Sequence, residues 1–152
     1  MSRDILHFKI VTPEKLVYEN DVVQITVPTK SGQITVLPNH IALVSVLSPG
    51  ELMAIGPDSK TKPIEMAVSG GFIEVANNQV TILADTAEHA EEIDETRAQQ
   101  AHQRAKELLA ESRNKADIDF TALSAKIEKE LARLKVARKR KYRQDFSKPT
   151  PQ

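Results

Sequence analysis

The chain has no cysteine among its 152 residues. That excludes disulfide stapling, thiol catalysis and cysteine-ligated metal, and it is compatible with a reducing cytosol. Long apolar runs are missing too. The start, Met1-Ser2-Arg3-Asp4-Ile5, lacks the apolar stretch of a signal peptide, and no segment approaches the roughly 18 apolar residues a membrane helix needs. A soluble, unexported protein is expected. Net charge gives no guide to partners, because 21 basic and 21 acidic residues sum to zero. The motifs GxxxxGK[ST], GxGxxG after a strand, HExxH and GxSxG are all absent. His7, His40, His89 and His102 show no metal-ligand spacing. Without a nucleophile, base and orienter set, an independent enzyme is the least supported class, and no catalytic or metal-binding residue is assigned.

What the chain does have is a single change of periodicity near Asp85. Before it, apolar residues alternate, as in Val23-x-Ile25-x-Val27 and Val80-x-Ile82-x-Ala84, which suits half-buried strands. After it they recur every three or four residues, as in Leu123, Ile127, Leu131 and Leu134, which suits amphipathic helices. Nine short runs of strand type precede the change, from Leu6 to Val11 through Val80 to Ala84. Breaks such as Pro28-Thr29-Lys30-Ser31-Gly32, Ser48-Pro49-Gly50 and Asn77-Asn78 separate them. The expected class is α+β: an all-β sandwich or barrel of about ten short strands, mostly antiparallel, then an antiparallel two-helix hairpin. The boundaries read as 1–86 for the β domain, 87–144 for the hairpin and 145–152 for a flexible tail. Ser69-Gly70-Gly71 reads as a bulge or tight turn entering the strand at Phe72.

Asp85-x-x-Glu88 has capping-box spacing and predicts the start of the first helix; Asp119 predicts the N-cap of a second, from Phe120 to about Tyr142. The first helix opens in acid (Asp85, Glu88, Glu91, Glu92, Asp94, Glu95). The second closes in base (Arg133, Lys135, Arg138, Lys139, Arg140, Lys141, Arg143). A short loop makes the helices antiparallel, so acid lies beside base. The inward positions of the first helix are largely alanine, which bury little apolar area. A hairpin resting on such a seam and on exposed ion pairs is a two-state element that opens at low cost.

Two clusters are candidate sites. The basic end of the second helix carries one interleaved aromatic, Tyr142, and faces an acidic segment, which favours an acidic protein surface over nucleic acid as its partner. Ile93-Asp94-Glu95-Thr96-Arg97-Ala98 is a small-ligand candidate in which Arg97 meets a phosphate, Ala98 leaves room for a flat base, and Lys129 and Arg133 add cations from the facing helix. By pattern alone, a plain intrahelical Asp94–Arg97 pair is the stronger reading. His40, at a turn in Leu37-Pro38-Asn39-His40, is a candidate contact to a partner subunit.

Three stretches carry a resemblance. They are Gly32-Gln33-Ile34-Thr35-Val36-Leu37-Pro38-Asn39-His40, Leu47-Ser48-Pro49-Gly50-Glu51-Leu52, and Ala67-Val68-Ser69-Gly70-Gly71-Phe72-Ile73-Glu74-Val75 followed by Val80 to Ala84. In this order and spacing the chain resembles the epsilon subunit of the bacterial-type rotary F-type ATP synthase, over nearly its whole length. The resemblance implies a flattened β-sandwich docked on the gamma subunit and the membrane rotor ring, and a hairpin that regulates the catalytic hexamer of a proton- or sodium-driven machine. It implies a peripheral, non-catalytic subunit on the cytoplasmic face of the bacterial inner membrane, touching membrane only through the complex. The hairpin of that family has two states, one folded on the sandwich and one extended with its last helix against the catalytic beta subunits, where ATP hydrolysis is blocked.

No cofactor is required, but the resemblance adds a possible regulatory ATP, held through an Ile/Leu-Asp-x-x-Arg-Ala motif matched by Ile93, Asp94, Arg97 and Ala98 and an upstream glutamate matched by Glu88. Arg133 matches one arginine of the second helix. Lys129 stands where the other is expected, a point charge in place of a planar fork. Two rival readings are a free-standing ATP-sensing module and a β-sandwich adaptor with a nucleic-acid-binding tail.

Overall fold

The computed structural model describes residues 4–58, 60–112 and 119–146, the last three as backbone only. Ten strands come first: β1 (Leu6–Val11), β2 (Leu16–Val22), β3 (Gln24–Thr29), β4 (Gly32–Val36), β5 (Leu43–Leu47), β6 (Gly50–Ile55), β7 (Ile64–Val68), β8 (Gly71–Ala76), β9 (Gln79–Ala84) and β10 (Ala87–His89). A 3-10 turn (Ala90–Glu92) leads into α1 (Glu95–Ser112) and α2 (Phe120–Phe146). The strands run in the order β10-β7-β6-β3-β5-β8-β9-β1-β2, with β4 beside β3, and close into a flattened, nearly complete barrel. β3 and β5 share only the pair Thr29↔Leu47, so the sheet folds there into two layers. Every pairing is antiparallel except β1 with β9, which are parallel.

Alternation decides what lies inside. Leu6, Phe8 and Ile10 of β1, Ile73 and Val75 of β8, and Val80 and Ile82 of β9 are all buried in one core with Leu52, Met66 and Val68. The turns follow from residue type. Asn77 and Asn78 adopt φ of 50° and 59°, the left-handed pair that a two-residue hairpin between β8 and β9 requires. Gly71 has φ of 115°, and a Cβ there would lie 2.0 Å from the carbonyl oxygen of Leu83. Only glycine fits that approach.

The sequence expectation fails at the start of the hairpin. The helix predicted from Asp85-x-x-Glu88 begins instead at Glu95, where Asp94 caps it through its side chain to the Arg97 amide at 2.9 Å. Residues 87–89, counted with the hairpin, pair as β10 with Val68, Ala67 and Met66 of β7. The edge of the sheet offers this segment backbone partners that a frayed first turn lacks. Asp119 caps α2 as expected, accepting from the amides of Thr121 (3.0 Å) and Ala122 (3.1 Å). α2 runs through Phe146, so Asp145 and Phe146, read as tail, are helical. Residues 113–118, which hold the short loop expected between the helices, and the tail from 147 lie outside the described residues.

α1 presents Ala98, Ala105 and Ser112 inward, at a seven-residue spacing. α2 lies on both α1 and the outer face of β6 and β7, and Ala67, Ala90, Ile93, Ala98, Leu134, Val136 and Ala137 form a second, small cluster at that junction.

Candidate functional site

The basic helix α2 meets acid on three neighbouring strands. In β6 and β7, Leu52, Ala54, Met66 and Val68 point into the core, so Glu51, Glu65 and Ala67 point the other way, under α2. Lys139 Nζ donates to Glu51 Oε2 at 2.6 Å, and Arg143 contacts Glu65. On β10, Glu88 receives Arg133 through both oxygens, from Nε at 2.7 Å and from Nη2 at 3.1 Å. Glu130 takes the remaining Nη1 at 2.8 Å. This paired geometry is the strong form of a charge-assisted bond. It raises the Arg133 pKa further above the ordinary guanidinium range, chiefly through Glu88, against a smaller opposing effect of burial and with help from Glu130.

A second group closes the hairpin itself. Arg138 reaches Glu95 at 3.3 Å and Gln99 at 3.4 Å, Lys141 lies 3.9 Å from Glu95, and Arg140 donates to the carbonyl of Ala90. The acidic opening of the arm therefore does lie beside its basic end, as the charge order predicts. Arg140 and Arg143 also border a cleft of about 250 Å³ with Lys62 and Glu65.

The residues proposed for a nucleotide are distributed unevenly. Glu88 and Arg133, far apart in sequence, are brought together. Ile93 and Ala98 are buried in the junction cluster beside Leu134. Asp94 serves as a helix cap, Arg97 is exposed and Lys129 is half-buried. Of the basic residues assigned to a partner, Lys135 is exposed, while Arg133, Arg138, Lys139, Arg140 and Lys141 all have partners within the chain.

His40 is half-buried, with Nδ1 2.8 Å from the carbonyl oxygen of Ile41, and it follows Asn39, whose φ is 65°. Its neighbour Asn39 bonds Asn78 in the β8–β9 turn, so His40 lies at the opposite end of these strands from an apolar row. Leu37 and Ile41 are exposed, and on β5, β8 and β9 the register aligns Val46, Phe72 and Leu83 in one outward row, with Phe72 54% exposed. Sequence reasoning passed over this row and the acids Glu51, Glu65 and Glu130. Strict alternation marks Val46, Phe72 and Leu83 as outward, and the spacing of Glu130 to Arg133 marks a helix pair. Nothing local ties Glu51 or Glu65 to a helix so distant in sequence.

Among the described residues, no helix is long and apolar enough to cross a membrane, and no group of three histidines or carboxylates is placed to hold a metal ion.

Comparison with known proteins agrees with this architecture. Residues 5–90 match the family model of the ATP synthase delta/epsilon chain β-sandwich domain, and residues 91–138 match that of its long α-helix domain. The ATP synthase epsilon chain of Chloroflexus aggregans is 44% identical over 138 residues, 91% of this chain and 96% of its own. That of Roseiflexus sp. is 51% identical over 96 residues, 63% of this chain and 67% of its own. A chain in the cryo-EM structure of the Euglena gracilis mitochondrial ATP synthase (OSCP/F1/c-ring) superposes with a TM-score of 0.69 at 24% identity, covering 82% of this chain and 76% of that one. At that identity the likeness speaks for the fold. With both parts matched in order and close relatives aligned almost end to end, the chain belongs to the ATP synthase delta/epsilon chain family, as an epsilon subunit of an F-type ATP synthase.

Proposed function

We propose that the chain is a non-catalytic rotor subunit whose sandwich couples the gamma subunit to the membrane ring and whose hairpin is a switch on ATP hydrolysis. One observation carries this reading: α2 is held to the sandwich over a small alanine-rich cluster by ion pairs to Glu51, Glu65 and Glu88, contacts that another acidic surface can replace. Released, the same cations meet an acidic surface of the catalytic beta subunits. Each partner shifts the balance only by its differential affinity for the two states. Chains ended after Ile93 keep β10 and should support assembly and coupling while relieving inhibition of hydrolysis in the reconstituted enzyme. Unchanged ATPase activity would remove the regulatory role and leave the rotor role standing.

The apolar row Val46, Phe72 and Leu83 supports docking to the stalk, since an exposed apolar patch of this kind marks an interface, and exposed Leu37 and Ile41 beside His40 offer a separate contact at the other end of these strands. The assembled protein then sits on the cytoplasmic face of a bacterial inner membrane and meets lipid only through the complex. A regulatory ATP is the rival reading, prompted by the meeting of Glu88 with Arg133 beside Ile93 and Ala98, and it requires Arg133 to give up both Glu88 and Glu130. Exposed Arg97 and half-buried Lys129 would supply its cations, with Arg133 once its carboxylates turn away. Calorimetry on the whole chain, with Arg97→Ala as control, decides it; no heat at millimolar ATP rules it out.

A further inference from the structure

Arg133 has two edges with which to grip a planar or tetrahedral anion, and both are occupied. Glu88 holds Nε and Nη2, and Glu130 holds Nη1. The two glutamates differ in kind. Glu88 sits on β10 and is lost to Arg133 when the hairpin leaves the sandwich. Glu130 is three residues from Arg133 on the same helix and travels with it, so it stays in reach in either state. Its side chain is only 9% exposed, against 29% for Glu88, and the residue is one of few buried charged groups among those described. A buried carboxylate is retained only where it is paired, and here its partner is Arg133.

We propose that Glu130 is a resident anion that completes Arg133, so that the folded hairpin needs no bound ligand and phosphate-bearing molecules are refused at this site. The inference rests on the switch reading and names its regulation. Two carboxylates on one guanidinium leave the cluster with net negative charge, which repels a phosphate chain at contact distance. An incoming phosphate must also displace a charge-assisted bond already made. The fork that would otherwise recognise phosphate is consumed within the protein, and the balance between folded and released hairpin is then set by competing protein surfaces rather than by nucleotide level.

The test uses the full-length chain, with Mg-ATP and inorganic tripolyphosphate as separate titrants, followed by calorimetry, together with hydrogen exchange at the β10 amides. The wild-type chain should bind neither titrant at millimolar concentration, and its β10 amides should be protected without nucleotide. Glu130→Ala should gain affinity for at least one titrant by tenfold or more, and adding Arg133→Ala should abolish the gain. Glu130→Gln keeps the shape of the side chain, so a gain there carries the same conclusion if the alanine variant folds poorly. Arg133-dependent ATP binding by the wild type overturns the proposal. So does unprotected β10 without nucleotide, or unchanged affinity in both Glu130 variants. Failure of the switch reading would appear instead in the ATPase activity of the assembled enzyme, and the two failures are distinguishable.

Discussion

In the sandwich, Leu6, Phe8, Ile10, Leu52, Met66 and Ile73 are 0–1% exposed and touch one another in one core, whereas the hairpin buries alanines at 98, 105, 132 and 137 and leaves Leu108 49% exposed. Each large side chain buried in the first contributes about 1.5–3 kcal/mol; an alanine contributes a small part of that, and an exposed ion pair about 0–1 kcal/mol. The first region is therefore fixed by apolar area, while the second, where Ile93, Leu134 and Val136 are the larger buried side chains, depends more on charge. Such a division suits a protein that must hold its seat in a rotor while one part remains free to change partners.

The comparison can be broken from either side. Ile73→Ala should cost the whole fold about 2–5 kcal/mol in denaturant unfolding, because the cavity lies in the shared core. Gly71→Ala should cost roughly 3 kcal/mol, from a φ of 115° and a clash with backbone rather than with a side chain that can yield. Neither should act on the hairpin alone. Glu88→Gln should do the reverse and weaken the docking of α2 by about 1–3 kcal/mol, read as faster exchange of α2 and β10 amides with little change in sandwich unfolding. If global stability falls in parallel, the two regions are not separate units.

Two smaller effects sharpen the contrast. Raising salt from about 0.1 to 1 M should loosen the exposed pairs Arg138–Glu95, Lys139–Glu51 and Lys141–Glu95 by less than about 1 kcal/mol each, and α2 exchange should respond while β8 exchange does not. For pH the sign follows from Arg133. Its pKa is raised in the folded state, so the stability it adds is fully present below the ordinary guanidinium value and is lost only as pH climbs through the raised one. The Arg133 contribution to docking should then be flat between about pH 6 and 9, measured as the difference between wild type and Arg133→Ala.

Much of the fold was legible. All nine runs of strand type occur as strands, Asn77-Asn78 turns as expected, and Asp119 caps the second helix. β10 was not, because Ala87-Glu88-His89 lacks apolar alternation and the spacing of Asp85 to Glu88 imitates a helix start. At the site, the facing of basic end and acidic opening was legible from charge order and a short loop. That Arg133 is satisfied by Glu88 and Glu130 together was not, since one partner is local and the other arrives from a different element.

Taken alone, the sequence determined what each short segment is: the strand or helix period, the turns that need positive φ, the capped start of α2 and the order of charge along the arm. These depend on a few adjacent residues and the backbone angles they permit. Tertiary structure decided which segments meet. Only it pairs β1 in parallel with β9, lends β10 an edge on β7, and sets Glu51, Glu65 and Glu88 under one helix. Such contacts close long loops, and the burial that offsets the closure entropy belongs to no single stretch of chain.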